Sequence, residues 1–520
     1  MAEPLMQSIR RHPDRIALVV SGREVTYREF GDRVNAMTAS LRDRGVGAGD
    51  RVAFLLPNGL HIVEVYFALQ KLGAVAVPLN FRSVPEEILH LCASAEVSAL
   101  VFGKEATERV LAARAGLPPG VRPWSIGTAV DGYDQLPDEE GTQGPVADEP
   151  VAPVGPDAIS RIQFTGGSTG RPKAVVRTHH ADLVEIEGTY LSNGLADDPS
   201  KIVLIQCPVD HHGGHDWLCM ALAVGATIVL ESGGFDAGRI LRDVDRYRVS
   251  YMILLPPTTY TRLLDDPRAD TADLTSLRIA QSSAGGMTRE IAQLIFRGFP
   301  SADICFGWGQ TESGLGSSLM LTRRMLEDDD LRWDNVGRPQ PLIDMKIVDG
   351  HGHDVPDGVA GECVVRSAAV MTEYYGQPEL TRTAFTDDGW LRTGDVMVRD
   401  PQGYFYLRSR LKEMIKSGGE NVFIEEVESI VLRHPAVRDC VVFGMPDPTF
   451  GESVACAVEL VPGRSLTLRE LQTFCVCYIA SYKKPCHLTV LDSLGRDFSG
   501  KVDRARIVER CEALAQRRHS

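Results

Sequence analysis

The chain has 520 residues, 43% of them hydrophobic, with a mean hydropathy of −0.09 and a formal net charge of −15. That length allows about three to four units of ordinary domain size, and the hydropathy fits a soluble globular protein. The acidic balance excludes nucleic acid as the main partner, which would need a basic face, but leaves phosphate ligands open because they need only local positive charge.

The N-terminus shows no basic region followed by an apolar run, so no leader is read there. The longest mostly apolar stretch, Leu218 to Leu230, spans 13 residues, short of the roughly 20 that cross a bilayer. Eleven scattered cysteines lack paired metal spacing and read as reduced thiols. We expect a cytoplasmic protein without a membrane partner.

Along the chain, Arg51–Leu55 reads as a short strand. Ile62, Val65, Tyr66, Leu69 and Leu72 fall on one helical face, Gly73 is placed to end that helix, and Ala74–Leu79 reads as the next strand. Such alternation predicts a parallel or mixed sheet covered by helices. Leu136–Asp157 is rich in Pro, Gly, Asp and Glu and reads as a solvated loop with little that could pack a core. Ile159–Phe164 reads as a strand, and so does the stretch after Lys173. Ile202–Ile205, Ala226–Leu230, Tyr251–Leu255 and Leu277–Ala280 read as buried strands. Residues 342 to 410 look β-rich. A smaller unit follows, with a helix over Glu425–Leu432, strands over Asp439–Phe443, Val454–Leu460 and Leu488–Leu491, and a helix over Leu468–Ala480. Thr467 and Glu470 form a capping-box signature at the start of that last helix.

Five stretches carry the chemistry. The first is Phe164-Thr-Gly-Gly-Ser-Thr-Gly-Arg-Pro-Lys173, in which Thr165, Gly166, Gly167, Ser168, Thr169 and Gly170 make an unbroken Gly/Ser/Thr run. Backbone N–H groups and hydroxyls of such a loop can wrap a polyphosphate, with Lys173 as a cation just beyond. It is not a Walker A loop, because Arg171 and Pro172 separate Lys173 from the last glycine and a strand follows in place of a helix. Second, Phe306-Gly-Trp-Gly-Gln-Thr-Glu312 sets an aromatic face, Trp308, and Gly309 beside a hydroxyl, Thr311, and a hard carboxylate, Glu312, suited to Mg²⁺ on phosphate. Third, Asp388-Gly-Trp-Leu-Arg-Thr-Gly-Asp395 ends in an Asp after a tight turn, which can accept both hydroxyls of a ribose. Fourth, Arg408 to Asn421 is a basic linker with a glycine pair, containing Arg410, Lys412, Lys416, Gly418 and Gly419. Fifth, Leu494-Gly-Arg-Asp-Phe-Ser-Gly-Lys501 puts a lysine in a loop near the C-terminus. Taken singly, these read as an ordinary hairpin loop, a solvated glutamate, a turn-capping aspartate, a charged linker and a surface lysine.

In this order and spacing the five stretches resemble the adenylate-forming (AMP-binding) superfamily of acyl- and aryl-CoA ligases, luciferases and adenylation domains, over nearly the whole chain. The resemblance implies an α/β fold, with a large N-terminal domain of packed sheets and helices (1–410) and a small mobile α+β lid (411–520) hinged at Lys412. It implies ATP, Mg²⁺ and coenzyme A as cofactors. Thr165 to Gly170 with Lys173 resembles the ATP-phosphate loop, and Trp308 the adenine-stacking aromatic. Thr311 resembles the phosphate-contacting threonine and Glu312 the Mg²⁺ ligand. Asp395 and Arg410 resemble the ribose-binding pair, and Lys501 the catalytic lysine. Ser282–Met287 aligns with the segment lining the adenine and acyl pockets, with Ala284 on the nucleotide side and Ser283 and Gly285 on the acid side. Lys416, Gly418 and Gly419 resemble the loop of the pantetheine tunnel. A lysine of ordinary pKa is charged at neutral pH, so Lys501 is expected to neutralise transition-state charge and not to act as a base.

The chain departs from the family around the acid. Cys207-Pro-Val-Asp-His-His-Gly-Gly-His-Asp216 keeps the expected histidine as His211, but Asp210 replaces an aromatic, and His212, His215 and Asp216 are additional. A polar pocket formed by Asp210, His211 and His212 would disfavour a long alkyl chain and suit an aryl, polar-substituted or small acid. A metal site is the lesser reading, since no metal-binding spacing supports it. Elsewhere, Gly166 and Ser168 replace the usual Ser and Thr, Gly286 replaces a common Pro, and Leu494-Gly495-Arg496 replaces the usual lead-in to the lysine loop. The expected partners are a small carboxylic acid and, as an alternative acceptor to CoA, a carrier protein or an amine. Oligomeric state is open between monomer and homodimer.

Overall fold

The computed structural model describes residues 1–137, 148–165, 172–192, 201–327, 333, 335–410, 415–417, 420–422, 424–447, 451–479, 483–495 and 502–519. Two large sheets, of thirteen and eight strands, dominate, with a third of five strands near the C-terminus. At the centre of the thirteen-stranded sheet six parallel strands lie side by side: Ile16–Val20, Thr227–Leu230, Ile202–Ile205, Tyr251–Ile253, Ile279–Ser282 and Asp303–Gln310. The four expected buried strands overlap members of this set, with Leu277–Ala280 shifted to Ile279–Ser282 and Tyr251–Leu255 ending at Ile253. Gly314–Leu321 then turns back antiparallel on Asp303–Gln310.

The eight-stranded sheet is parallel through Val75–Pro78, Arg51–Leu55, Ala99–Phe102 and Arg122–Ser125. Toward one end lies the hairpin Ile159–Thr165 and Lys173–Thr178, antiparallel with Thr165 opposite Lys173, and the short edge strand Glu373–Tyr374 follows it. The glycine-rich segment therefore joins two antiparallel neighbours, as the absence of a following helix predicts.

One hydrophobic core fills the space between the two sheets, where helices Ala2–Arg11, Tyr27–Asp43, Leu60–Leu72 and His212–Ala223 lie. A second core packs Ala237–Tyr247, Thr258–Leu264 and Arg289–Gly298 on the outer face of the large sheet. A third packs Pro85–Ser94 and Thr107–Ala113 on the outer face of the other sheet. Because it lies in the middle layer, Leu60–Leu72 is buried all round and not on one face, with 11 of its 13 residues buried. Its polar members are paired accordingly: Glu64 with Arg33, Gln70 with the Ser160 carbonyl at 3.0 Å, and Lys71 with Asn35 at 2.6 Å. Gly73 caps the helix at φ +67°, a left-handed conformation that costs glycine nothing.

Two expectations change. Leu136 is 1% exposed and belongs to the central core, and Val151 packs against it. The acidic segment is therefore anchored at both ends of its undescribed centre, since an isolated apolar residue in a polar run still gains by burial. The helix from Leu468 ends at Cys475, short of Ala480, although the Thr467–Glu470 capping box forms as read. In the small unit, Ile424–Val431 and Leu468–Cys475 share one core with the sheet, while Ile507 and Cys511 of Arg504–His519 join a second. All eleven cysteines are free thiols and nine are buried. Among the described residues, no helix is long and apolar enough to cross a membrane.

Candidate active site

The site assembles where the parallel strands of the large sheet end. Asp303–Gln310 delivers Trp308 and Gly309, and the tight link to Gly314–Leu321 carries Thr311 and Glu312. An added Cβ at Gly307 or Gly309 would lie 2.5 Å from a carbonyl oxygen of the partner strand, so only glycine permits this close pairing. Trp308 is 7% exposed and packs against Gly316. Its indole N–H donates to Asp395 Oδ2 at 2.8 Å, and the Gln310 amide donates to the same oxygen at 2.8 Å. The residue aligned with base stacking and the residue aligned with ribose binding are thus directly bonded. Asp395 is 2% exposed and lies opposite Arg410 in an antiparallel pair.

Glu312 is half-buried. The Tyr374 hydroxyl donates to its Oε1 at 3.0 Å. Lys173 Nζ lies 3.4 Å from the same hydroxyl and 4.7 Å from the centre of the Tyr374 ring. Tyr374 sits on the edge strand beside Lys173–Thr178, so it links the end of the glycine-rich hairpin to the Glu312 turn. Glu312 Oε2 has no hydrogen-bond partner among the described residues. A hard carboxylate oxygen of this kind fits a magnesium ion carried by a polyphosphate.

Ser283, Ala284 and Gly285 follow the strand Ile279–Ser282, next to Asp303–Gln310. Ser283 is half-buried, and Ala284 and Gly285 are exposed. Ala284 has φ +60°, a conformation that non-glycine residues adopt mainly where the surroundings impose it. An added Cβ at Gly285 would lie 2.9 Å from Pro256 Cβ, so this turn packs closely on the neighbouring loop.

The acid-side segment departs from the polar-pocket expectation. His211 is half-buried and is the N-cap residue of the helix His212–Ala223, while Asp210 is buried, its carbonyl accepting from Gln163 at 2.7 Å. His212, His215 and Asp216 are tied into a buried ion network and do not stand open to a ligand. Arg161 bonds Asp182 at 3.0 Å and Asp216 at 3.1 Å, and Arg177 bonds Asp182 at 3.0 Å and also Glu185. His212 Nε2 lies 2.9 Å from Asp216 and 3.1 Å from Glu185, and its Nδ1 lies 2.9 Å from Arg161. His215 meets Asp216 at 3.2 Å and Cys219 at 3.4 Å, with Tyr66 packed edge-on at 4.5 Å. The physical reason is compensation: Arg161 and Arg177 are fully buried, and buried charge is tolerated only when paired and hydrogen-bonded.

Burial opposes ionisation of Asp182, but the two guanidiniums hold its carboxyl well below the usual range. Burial pushes His215 down to about 4, leaving it neutral. For His212 burial also disfavours charge, whereas Asp216 and Glu185 favour it and raise the pKa to about 9. The Arg161 contact pulls the other way, since a guanidinium can only donate and Nδ1 must therefore accept. A doubly protonated ring would have to displace Arg161, and we assign the Nε2–H tautomer on that geometry. Glu185, His212 and Asp216 also bring three ligand atoms within 4.8 Å of one another. Those atoms are already engaged by Arg161, Arg177 and one another, and we describe the cluster as an ion network.

Gly166 to Gly170, Lys412, Gly418, Gly419 and Lys501 lie outside the described residues, and for Arg410 and Lys416 only the backbone is described. Thr165 and Lys173 mark the two ends of the hairpin. Lys416 pairs with Asn421 in the small sheet. Sequence reasoning missed Tyr374, Gln310, Arg161, Arg177 and Glu185. The available signal was an arginine inside each of two strand-like runs, with Asp182 and Glu185 spaced to share one face of the following helix.

Two sheets around a helical middle layer, with Trp308, Asp395 and the Glu312–Tyr374–Lys173 chain gathered at the strand ends, have the build of a ligase that activates an acid with a nucleotide. The profile of AMP-binding enzymes matches residues 5–375, and that of the AMP-binding enzyme C-terminal domain matches residues 426–501. The chain belongs to the AMP-binding enzyme family. It is 34% identical to a feruloyl-CoA synthase of Amycolatopsis sp. over 95% of both chains. It is 30% identical to the fatty acid–[acyl-carrier-protein] ligase ScoC of Streptomyces coeruleorubidus, over 96% of this chain and 94% of that one. The anthranilate CoA ligase AuaEII, solved in complex with anthranoyl-AMP, superposes with a TM-score of 0.87 at 25% identity, covering 99% of this chain and 98% of that one.

Proposed function

We propose that the chain activates a carboxylic acid with ATP as an acyl-adenylate, releasing pyrophosphate, and passes the acyl group to the thiol of coenzyme A, releasing AMP. The observation that carries this reading is the junction of Trp308, Gln310 and Asp395 beside the Lys173–Tyr374–Glu312 chain. One end has the chemistry to hold a nucleoside, the other to meet a polyphosphate. Trp308 offers a base-stacking surface and Asp395 accepts ribose hydroxyls. Glu312 and Thr311 would hold Mg²⁺, which, when bound, supplies charge neutralisation on the pyrophosphate side. Lys173 and the loop Thr165–Gly170 bind phosphate, and Lys501 neutralises charge as the carboxylate oxygen attacks the α-phosphorus. His211, Asp210, Ser283 and Gly285 border the acid, and Ala284 and Gly309 the nucleotide. Lys416, Gly418 and Gly419 border the pantetheine arm. In this reading residues 1–410 form the adenylation core, and 411–520 form a lid turning at Lys412.

The acid is an aryl acid in this proposal. The support comes from the feruloyl-CoA synthase and anthranilate ligase relatives. It does not come from a polar pocket, since His212, His215 and Asp216 are committed to the ion network. The similarity to ScoC supports a carrier-protein thiol as the second acceptor to test. A pyrophosphate-release screen over substituted cinnamates, benzoates and medium-chain fatty acids, with and without CoA, decides both points. We expect turnover with cinnamates or benzoates and acyl-CoA formation only with CoA. Preference for fatty acids would end the aryl assignment, and AMP release indifferent to CoA would end the CoA assignment.

A further inference from the structure

We propose that Glu185 is a positioning residue that sets the Thr311–Glu312 turn against the phosphate-loop hairpin and so tunes affinity for magnesium-bound nucleotide; this rests on the adenylation reading above. Glu185 is 3% exposed and sits on the helix His179–Ser192, which follows the hairpin directly. Its Oε1 accepts from the Leu315 backbone N–H at 2.8 Å and faces His212 Nε2 at 3.1 Å. Its Oε2 accepts from Arg177 on the second hairpin strand. Leu315 lies three residues after Glu312, just past the link between the two strands.

Arg177 holds the other side of the same turn. It donates to the Ala369 carbonyl at 2.5 Å, and Met371, two residues on, donates its N–H to the Glu312 carbonyl at 2.8 Å. Glu185 and Arg177 thus grip the Thr311–Glu312 turn from both flanks and tie it to the root of the glycine-rich loop. The approach of Glu185 depends on Gly314, at φ +71°, where an added Cβ would lie 2.9 Å from the Glu185 carboxyl carbon. None of this serves folding alone. A carboxylate could be satisfied by Arg177 without reaching the strand that carries the turn, and a misplacement of about 1 Å in such a turn can cost on the order of 100-fold in catalysis.

The test uses Glu185→Gln in the full-length enzyme. Glutamine keeps the volume but offers one acceptor oxygen where Leu315, Arg177 and His212 all donate. Calorimetric titration with ATP at varied Mg²⁺, without acid, gives the nucleotide Kd and the half-saturating Mg²⁺ concentration. We expect both to rise about tenfold in a folded variant, with the KM of the acid changing less than twofold. Gly314→Ala is the second variant: alanine at φ +71° strains the turn itself and its Cβ meets the Glu185 carboxyl, with every charge left in place, and the same signature is expected. Nucleotide Kd and Mg²⁺ dependence unchanged in both folded variants would overturn the proposal, and so would a drop in kcat alone. Because the titration needs no acid, wild-type enzyme that binds MgATP yet releases no pyrophosphate would end the functional reading while leaving the positioning test intact.

Discussion

Asp395 and Asp182 are both buried carboxylates, 2% and 1% exposed, in very different company. Asp182 accepts from two guanidiniums and the Ser160 hydroxyl, all on its own fold. Asp395 takes an indole N–H and an amide N–H on one oxygen, at the place where the family resemblance puts a ribose. The first cluster pairs charge with charge, while the second gathers neutral donors on one oxygen. The lesson is that burial alone does not describe a carboxylate, and that its partners and their charges do.

Breaking the first cluster has the largest expected effect. Arg161→Met strips a fully buried cation from Asp182 and Asp216 and should cost about 3–5 kcal/mol, read as a lower urea midpoint. A loss below about 1 kcal/mol would show that the network carries little stability. Asp395→Asn comes next and should leave the fold nearly intact, because asparagine keeps an oxygen for Trp308 and Gln310. Replacing a charged acceptor costs about 1.5–3 kcal/mol of binding, so the KM for ATP should rise ten- to a hundredfold with Tm little changed. An unchanged KM would remove Asp395 from the nucleotide site.

The smallest effect sharpens the comparison from the outer face of the large sheet. Glu231 is 3% exposed and pairs with Arg239 at 2.5 Å. Burial pushes its pKa up to about 7 despite Arg239, and Asp243 adds to the rise. One guanidinium does not compensate it as two compensate Asp182. The folded protein therefore holds the Glu231 proton between its ordinary 4.5 and about 7, while the unfolded chain releases it. The stability from this group is full below pH 4.5 and falls as pH rises through 7. Glu231→Gln should flatten that slope and gain about 1 kcal/mol at pH 8, the lost Arg239 contact offsetting part of the recovered desolvation. Thermal melts at pH 5 and 8 check it, and an unchanged pH slope would contradict the shift.

The run Asp210–Asp216 shows where sequence reading stops. Its histidines and aspartates read as a polar pocket because only part of what answers them, Asp216 to His212 and His215, lies nearby in sequence. Their distant partners, Arg161 and Glu185, lie on a strand of the other sheet and on the helix that follows its hairpin. Glu312 stood out in the sequence as a carboxylate beside a glycine-rich turn, but the Tyr374 that donates to it did not, since a tyrosine on an edge strand carries no local signal.

By itself the sequence determined the alternation of strands and helices, the loop set between two strands and the family to which the chain belongs. These rest on periodicity, turn chemistry and motif spacing, all of which are local. The tertiary structure alone decided which buried charges neutralise one another, that Trp308 bonds Asp395, and that Glu185 reaches Leu315. Each of these is a meeting of groups distant in the chain, and its energy depends on approach and desolvation, which residue order does not encode.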